Sequence, residues 1–183
     1  MGDTHVTAIL LAAGRGTRMG GSLRKQYMEL GGRPVLSHSL GVLENSPVIT
    51  DIVLVIPAGE ESYIRGHVAA AAREGAAEYT SRIRAFVPGG RERYDSVWNG
   101  LQAMDWPCDY VFIHDGARPF LSEAMLERLF LAVRRSGAAV AGMPSKDTVK
   151  LTDAEGRVLS TPDRSNTWVV QTPQCFAFDL VYD

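Results

Sequence analysis

Val6-Thr7-Ala8-Ile9-Leu10-Leu11-Ala12-Ala13-Gly14-Arg15-Gly16-Thr17-Arg18-Met19 decides how the rest of the chain is read. Its first six residues form a short apolar run that gives way to small residues and glycine, the pattern of a parallel strand buried on both faces. Residues 12–24 are rich in glycine and arginine and read as a loop. Glycine lets backbone N–H groups approach phosphate oxygens closely, and arginine or lysine neutralises charge that backbone dipoles alone cannot. A glycine-rich turn with solvated cations is the plainer alternative, but the position directly after the first strand favours a phosphate loop. Neither common phosphate loop fits. No GxxxxGK[ST] tail follows Gly14 or Gly16, and Met19 takes the third glycine position of GxGxxG.

Outward from this stretch, apolar runs alternate with helical patterns. Pro34, followed by Val35, Leu36, Leu40 and Leu43, predicts a helix opened by proline at its first position. Asp51-Ile52-Val53-Leu54-Val55-Ile56-Pro57 is a second buried strand, and the Ala-rich residues 60–78 read as a helix. Residues 84–87 make a third strand before Pro88-Gly89-Gly90, and a helix follows over about 94–104. Tyr110-Val111-Phe112-Ile113-His114 is a fourth strand, ending at Asp115-Gly116-Ala117-Arg118-Pro119. Ser122 is placed to cap the next helix, with Met125, Leu126, Leu129, Phe130 and Val133 on one face, and residues 138–143 give a fifth strand.

This order predicts an α/β fold, three-layered and Rossmann-like, with a mainly parallel sheet and helices on both faces. Such sheets bind ligands at the carboxyl ends of their strands. Three unusual loops fall there: residues 12–24, 88–96 and 115–119. From about 146 to 171 the pattern changes, and residues 146–151 and 168–171 read as strands flanking a polar turn at Asp153-Ala154-Glu155-Gly156. That segment is expected to be a β-arm reaching a partner or an edge hairpin folded on its own domain.

The chain has 183 residues, 45% of them hydrophobic and 22% charged, which suits a single domain over 1–183. A net charge of −2 leaves no global basic field for nucleic acid or an anionic membrane. Cys108 and Cys175 form no CxxC pair and read as buried reduced thiols. With no basic leader and no apolar stretch of membrane-spanning length, a soluble, cytoplasmic protein is expected.

Leu11 to Met19 resembles the LAAGxGxRM signature of the sugar nucleotidyltransferase superfamily. Lys25-Gln26-Tyr27, Gly89-Gly90-Arg91-Glu92-Arg93-Tyr94-Asp95-Ser96-Val97 and His114-Asp115-Gly116-Ala117-Arg118-Pro119 resemble further motifs of its cytidylyltransferases. Asp147-Thr148-Val149-Lys150, Asp163-Arg164 and Gln171-Thr172-Pro173-Gln174 complete the set, and the whole resembles the 2-C-methyl-D-erythritol 4-phosphate cytidylyltransferase family. The nearby ribitol-5-phosphate cytidylyltransferases share several motifs and are the first alternative. A guanylyl- or uridylyltransferase stands behind them, and a non-catalytic nucleotide-binding domain is the reading from another class.

The resemblance implies attack by a substrate phosphate oxygen on the α-phosphorus of CTP, with pyrophosphate leaving. That nucleophile is already an anion, so the site has to gather two polyanions and stabilise spread negative charge rather than activate a side chain. Arg18, Lys25 and Arg164 are implied as catalytic, with Arg18 and Lys25 on the triphosphate. Ala12, Ala13, Gly14, Gly90, Ser96 and Ala117 would line the nucleotide site, and Asp115 would hold Mg²⁺ or another divalent cation. Arg118, Thr148 and Arg164 would grip a sugar-alcohol phosphate, with Asp147 supporting the arm that crosses a homodimer. Arg91 stands where the family often has an acid, and His114 is given no chemistry. Family members run several dozen residues beyond the position of Asp183, so the family's C-terminal portion is expected to be missing from this sequence.

Overall fold

The computed structural model describes residues 4–14, 24–72 and 81–182; Arg18 and most of the first loop lie outside the described residues. Strand β1 (Val6–Leu11) is apolar except for Thr7 and is covered on both sides. Successive side chains of a strand face opposite ways, and each alternation here fills a separate core. Ala8 and Leu10 join Ile52, Leu54 and Phe112 in the larger cluster, while Ile9 joins Val53, Val55, Val111 and Ile113 in the smaller. Two cores on one sheet are what make three layers.

The short strands β2 (Glu29–Leu30) and β3 (Arg33–Pro34) form a separate hairpin leading into α1 (Val35–Asn45). Then come β4 (Asp51–Ile56), α2 (Glu61–Tyr63), a π-helical turn over Ile64–Val68, α3 (Ala69–Ala72) and β5 (Ile83–Pro88). After them run α4 (Arg93–Gln102), β6 (Tyr110–Asp115), α5 (Glu123–Ser136) and β7 (Ala138–Pro144). The arm carries β8 (Leu151–Thr152) and β9 (Val158–Ser160), and the chain returns through β10 (Trp168–Ala177) to α6 (Phe178–Tyr182). The main sheet has six strands in the order β5-β4-β1-β6-β10-β7. β5, β4, β1 and β6 are parallel neighbours, and β10 runs antiparallel between β6 and β7. Residues of α1, α3 and α5 pack into the larger core and those of α4 and α6 into the smaller. The α/β class and the mainly parallel sheet are as expected.

Several local expectations need correction. Pro34 does not open α1 but precedes it, with ψ 138° that is still extended. Ser122 stands at the N-cap of α5 without a side-chain cap bond, and its carbonyl receives the N–H groups of Met125 and Leu126 instead. The amphipathic face of α5 is as read, with Leu126, Leu129 and Val133 buried. The helix expected over 60–78 runs without interruption through its described residues 61–72, with a π-helical segment at Ile64–Val68, and 73–78 lie outside the description. Cys175 is buried and Cys108 only half-buried.

The largest correction concerns the arm. Residues 168–171 are not its second strand. They begin β10, where Trp168, Val169 and Val170 pair with Pro144, Met143 and Gly142. After a register shift, Gln174, Cys175 and Phe176 enter the sheet beside β6. Pro173, at that shift, disguises the strand, because proline cannot donate to a ladder and normally argues against a central strand. The true hairpin pairs β8 with β9 about the expected turn, where Gly156 has φ 82° and Asp153 Oδ1 accepts from the N–H groups of Glu155 and Arg157. Ser145 N–H bonded to the Thr167 carbonyl closes the neck.

Candidate active site

The sheet order turns at β1: the chain moves from β1 to β4 and β5 on one side, then places β6 on the other. A crevice outside the carboxyl ends of the strands at such a point is the usual ligand site of an open α/β sheet. Here it is a cleft of about 1390 Å³ bounded by the ends of β1, β5 and β6. Ala12, Ala13, Gly14, Lys25, Gly90, Ser96, Asp115, Ala117 and Arg118 all line it. Arg18 is outside the described residues, and Asp147, Thr148 and Arg164 are exposed on the arm and do not line this cleft.

Gly89 lets the loops after β1 and β5 close on each other, and Gly90 lets the second loop fold tightly against the start of α4. A Cβ on Gly89 would stand 2.1 Å from Ala13 Cβ, and one on Gly90 would stand 2.2 Å from Asp95 Cβ. The Gly90 N–H donates to Ser96 Oγ at 3.0 Å, and that hydroxyl donates to the Glu92 carbonyl at 3.2 Å. A reciprocal capping box between Glu92 and Asp95 fixes the start of α4, which puts Arg93 in its first turn at the cleft. Gly89→Ala is therefore expected to destabilise the fold by about 1–3 kcal/mol through overpacking. It should also weaken nucleotide binding by pushing the two loops apart. Thermal melts and nucleotide titration check this, with Gly66→Ala as control, since a Cβ there meets nothing within 4 Å. Wild-type stability and affinity in Gly89→Ala would show that the contact constrains nothing.

Asp115, at the last position of β6, is held between two guanidinium groups. Arg93 Nε lies 3.1 Å from Oδ1, and Arg118 Nε lies 3.1 Å from Oδ2. Arg118 also donates through Nη1 to the Gln171 side chain. Behind this array lies His114, buried and with its imidazole pKa pushed down chiefly by desolvation. Its Nε2 is 3.1 Å from the Arg118 carbonyl, which can only accept, so the neutral ring carries its proton there. Nδ1 then accepts from the Thr172 hydroxyl at 3.0 Å, and the same oxygen accepts the Asp115 N–H at 3.2 Å. His114 is thus packed, with both ring nitrogens hydrogen-bonded.

Among the described lining residues, Lys25, Arg91, Arg93 and Arg118 supply cations against the carboxylates of Glu92 and Asp115. A locally positive cleft in a chain of net charge −2 suits a polyanion. No cluster of three or more His, Cys, Asp or Glu able to hold a metal occurs among the described residues. Gln26, Arg93 and Thr172 are site residues that sequence reasoning left unassigned. All three lie inside the motifs of the sequence, but the contacts of Thr172 with residues 114 and 115 are long-range and carry no local signal.

The family model described as 2-C-methyl-D-erythritol 4-phosphate cytidylyltransferase matches residues 6–183. A relative of that name from Alkaliphilus oremlandii is 39% identical over 180 residues, covering 98% of this chain and 74% of its own length. Another, from Syntrophotalea carbinolica, is 46% identical, covering 97% and 74%. The crystal structure of 4-diphosphocytidyl-2C-methyl-D-erythritol synthase from Anaerococcus prevotii superposes with a TM-score of 0.82 at 36% identity, over 98% of this chain and 72% of that one. The switch-point cleft, the motifs that line it and a match running almost from end to end give one answer: the chain belongs to the 2-C-methyl-D-erythritol 4-phosphate cytidylyltransferase family.

Proposed function

We propose that this chain transfers CMP from CTP to 2-C-methyl-D-erythritol 4-phosphate. An oxygen of the substrate phosphate forms the new bond to the α-phosphorus of CTP, the bond to the β-phosphate bridge breaks, and pyrophosphate leaves with that electron pair. The carrying observation is the cleft itself, in which Lys25, Arg93 and Arg118 converge with the backbone of Ala12 to Gly14 and of Gly90. Such a site stabilises charge that spreads over the phosphates in the transition state. In this reading Lys25, with Arg18, holds the triphosphate, and Ala12, Ala13, Gly14, Gly90, Ser96 and Ala117 leave room for a pyrimidine nucleoside. Arg118 takes the acceptor phosphate.

Asp115 fits a divalent cation of the Mg²⁺ type. Such an ion is commonly held by one or two carboxylates together with phosphate oxygens rather than by an all-protein cage, and the Asp115 carboxylate, at the end of β6 and facing the cleft between Arg93 and Arg118, is that kind of donor. When bound, the ion would neutralise charge on the phosphates.

Arg164, Thr148 and Asp147 would complete the acceptor site of a second copy. What supports this is their distance from their own cleft, together with an apolar surface along the arm and its neck. Leu151, Val158, Leu159, Trp168, Val169 and Val170 are all exposed there. The enzyme is then a cytoplasmic homodimer joined through the arm; no helix among the described residues is long and apolar enough to cross a membrane.

The test is Mg²⁺-dependent pyrophosphate release from CTP with methylerythritol phosphate and with ribitol phosphate in parallel, GTP and UTP serving as controls. Turnover confined to CTP with methylerythritol phosphate supports the reading. A ribitol preference would reassign the acceptor, and silence with every pair would overturn the activity.

A further inference from the structure

Lys25 enters the cleft on a 3-10 turn, Lys25–Tyr27, that is preceded by Arg24. Arg24, the extended residue before the turn, and Tyr27, its last residue, both meet Glu60. Arg24 Nε lies 3.0 Å from Oε1, and the Tyr27 hydroxyl donates to Oε2 at 2.6 Å. Gln26 donates through Nε2 to the carbonyls of Ala12 at 2.5 Å and Gly14 at 3.2 Å. The neighbours of Lys25 are thus tied to two separate elements, the end of β1 and the loop after β4, while Lys25 lines the cleft.

Both carboxylate oxygens of Glu60 are taken up in these bonds. It stands at the N-cap of α2 and makes no side-chain cap bond there. The bonds are sheltered: the Arg24 and Glu60 side chains are 30% and 29% exposed, and Tyr27 is buried. The brace continues through Tyr63, whose ring centroid lies 5.1 Å from that of Tyr27 and 4.6 Å from that of His67, on which it stacks. Burial, reinforced by the bond to Glu60, raises the Tyr27 phenol far above its ordinary range, so it remains a donor at neutral pH.

We propose that Glu60 is a positioning residue for Lys25: its carboxylate, bonded to Arg24 and Tyr27 on either side of Lys25 and Gln26, fixes the rotation of the turn and thereby the direction in which the ammonium is presented to the triphosphate. The inference rests on the nucleotidyl-transfer reading above. Glu60 does not line the cleft, and its effect passes through Lys25.

The experiment is a double-mutant cycle in the full chain, using Glu60→Ala, Lys25→Ala and the pair, with Glu60→Gln added. The readouts are kcat, KM for each substrate and the melting temperature. Glu60→Ala should lower kcat by about 10- to 100-fold, the scale on which a misplacement of about 1 Å acts. KM for methylerythritol phosphate should hold. Glu60→Gln, whose amide oxygen still accepts the phenol, should recover part of the loss. In the Lys25→Ala background Glu60→Ala should change kcat by less than about 2-fold, because residues acting through one group are not additive. Losses that multiply across the cycle would overturn the proposal, as would a Glu60→Ala effect confined to melting temperature. Should Glu60→Ala fail to fold, the same cycle run with Glu60→Gln decides. Wild-type turnover in Lys25→Ala alone would instead sink the role given to Lys25, a separate failure.

Discussion

Lys25→Ala is expected to lower kcat by about 100- to 1000-fold, the range seen when one preorganised electrostatic donor to a transition state is removed. The melting temperature should stay close to that of the parent. Lys25 is exposed at the rim of the cleft, so its truncation leaves no cavity, and substitutions of that kind usually stay within about 0.5 kcal/mol. The loss should fall mainly on kcat, because negative charge spreads over the phosphate oxygens as pyrophosphate departs and a fixed ammonium there is worth most at that moment. Lys25→Arg should restore only part of the rate, since a planar fork does not reproduce a compact point charge. Pyrophosphate-release kinetics at saturating CTP, together with a thermal melt, check both halves. Parental kcat in a folded Lys25→Ala protein would remove this residue from the reaction.

The same residue shows how much of the site is legible in the sequence. Lys25 is legible because a motif surrounds it, and β1 is legible because five of its six residues are apolar and alternate between two cores, with only Thr7 polar. β4 and β6 declared themselves in the same way. The loops at their carboxyl ends announced the cleft, since glycine, small residues and arginine gather where backbone must approach phosphate. Elsewhere the information is not local. Thr172 supports Asp115 across 57 positions, and Glu60 reaches Arg24 across 36. Each depends on which strands become neighbours, and no periodicity encodes that. β10 was misread for a different reason. Its exposed start at Trp168 resembles an arm strand, and Pro173 hides its continuation into the sheet. The roles of Asp147, Thr148 and Arg164 belong to the arm, whose destination no pattern within one chain specifies.

Asp115→Asn separates two tasks that one carboxylate could perform, because they predict opposite signs. If Asp115 served only to hold Arg93 and Arg118 in place, its neutralisation would loosen both guanidinium groups and weaken CTP binding whether or not metal is present. If it serves to hold the divalent cation, turnover should fall by about 100-fold or more, as for other groups that stabilise transferring phosphate. More Mg²⁺ should also be needed for half-maximal rate. CTP binding in chelator should then be retained or tighten several-fold, because a negative charge has left a site that receives a polyanion. Two unit charges about 8 Å apart interact by roughly 2 kcal/mol at an effective dielectric constant near 20, before salt reduces it. Arg93 and Arg118, each now 3.1 Å from a carboxylate oxygen, would at the same time lose their strongest competitor for phosphate. Asparagine matches aspartate in shape and can still accept one guanidinium bond, so gross disorder of the loop is not expected to obscure the outcome. Calorimetric titration of CTP in chelator and in Mg²⁺, on the parent and on Asp115→Asn, reads the sign directly. Tighter metal-free binding with lost metal dependence assigns Asp115 to the cation, whereas weaker binding under both conditions assigns it to the arginines.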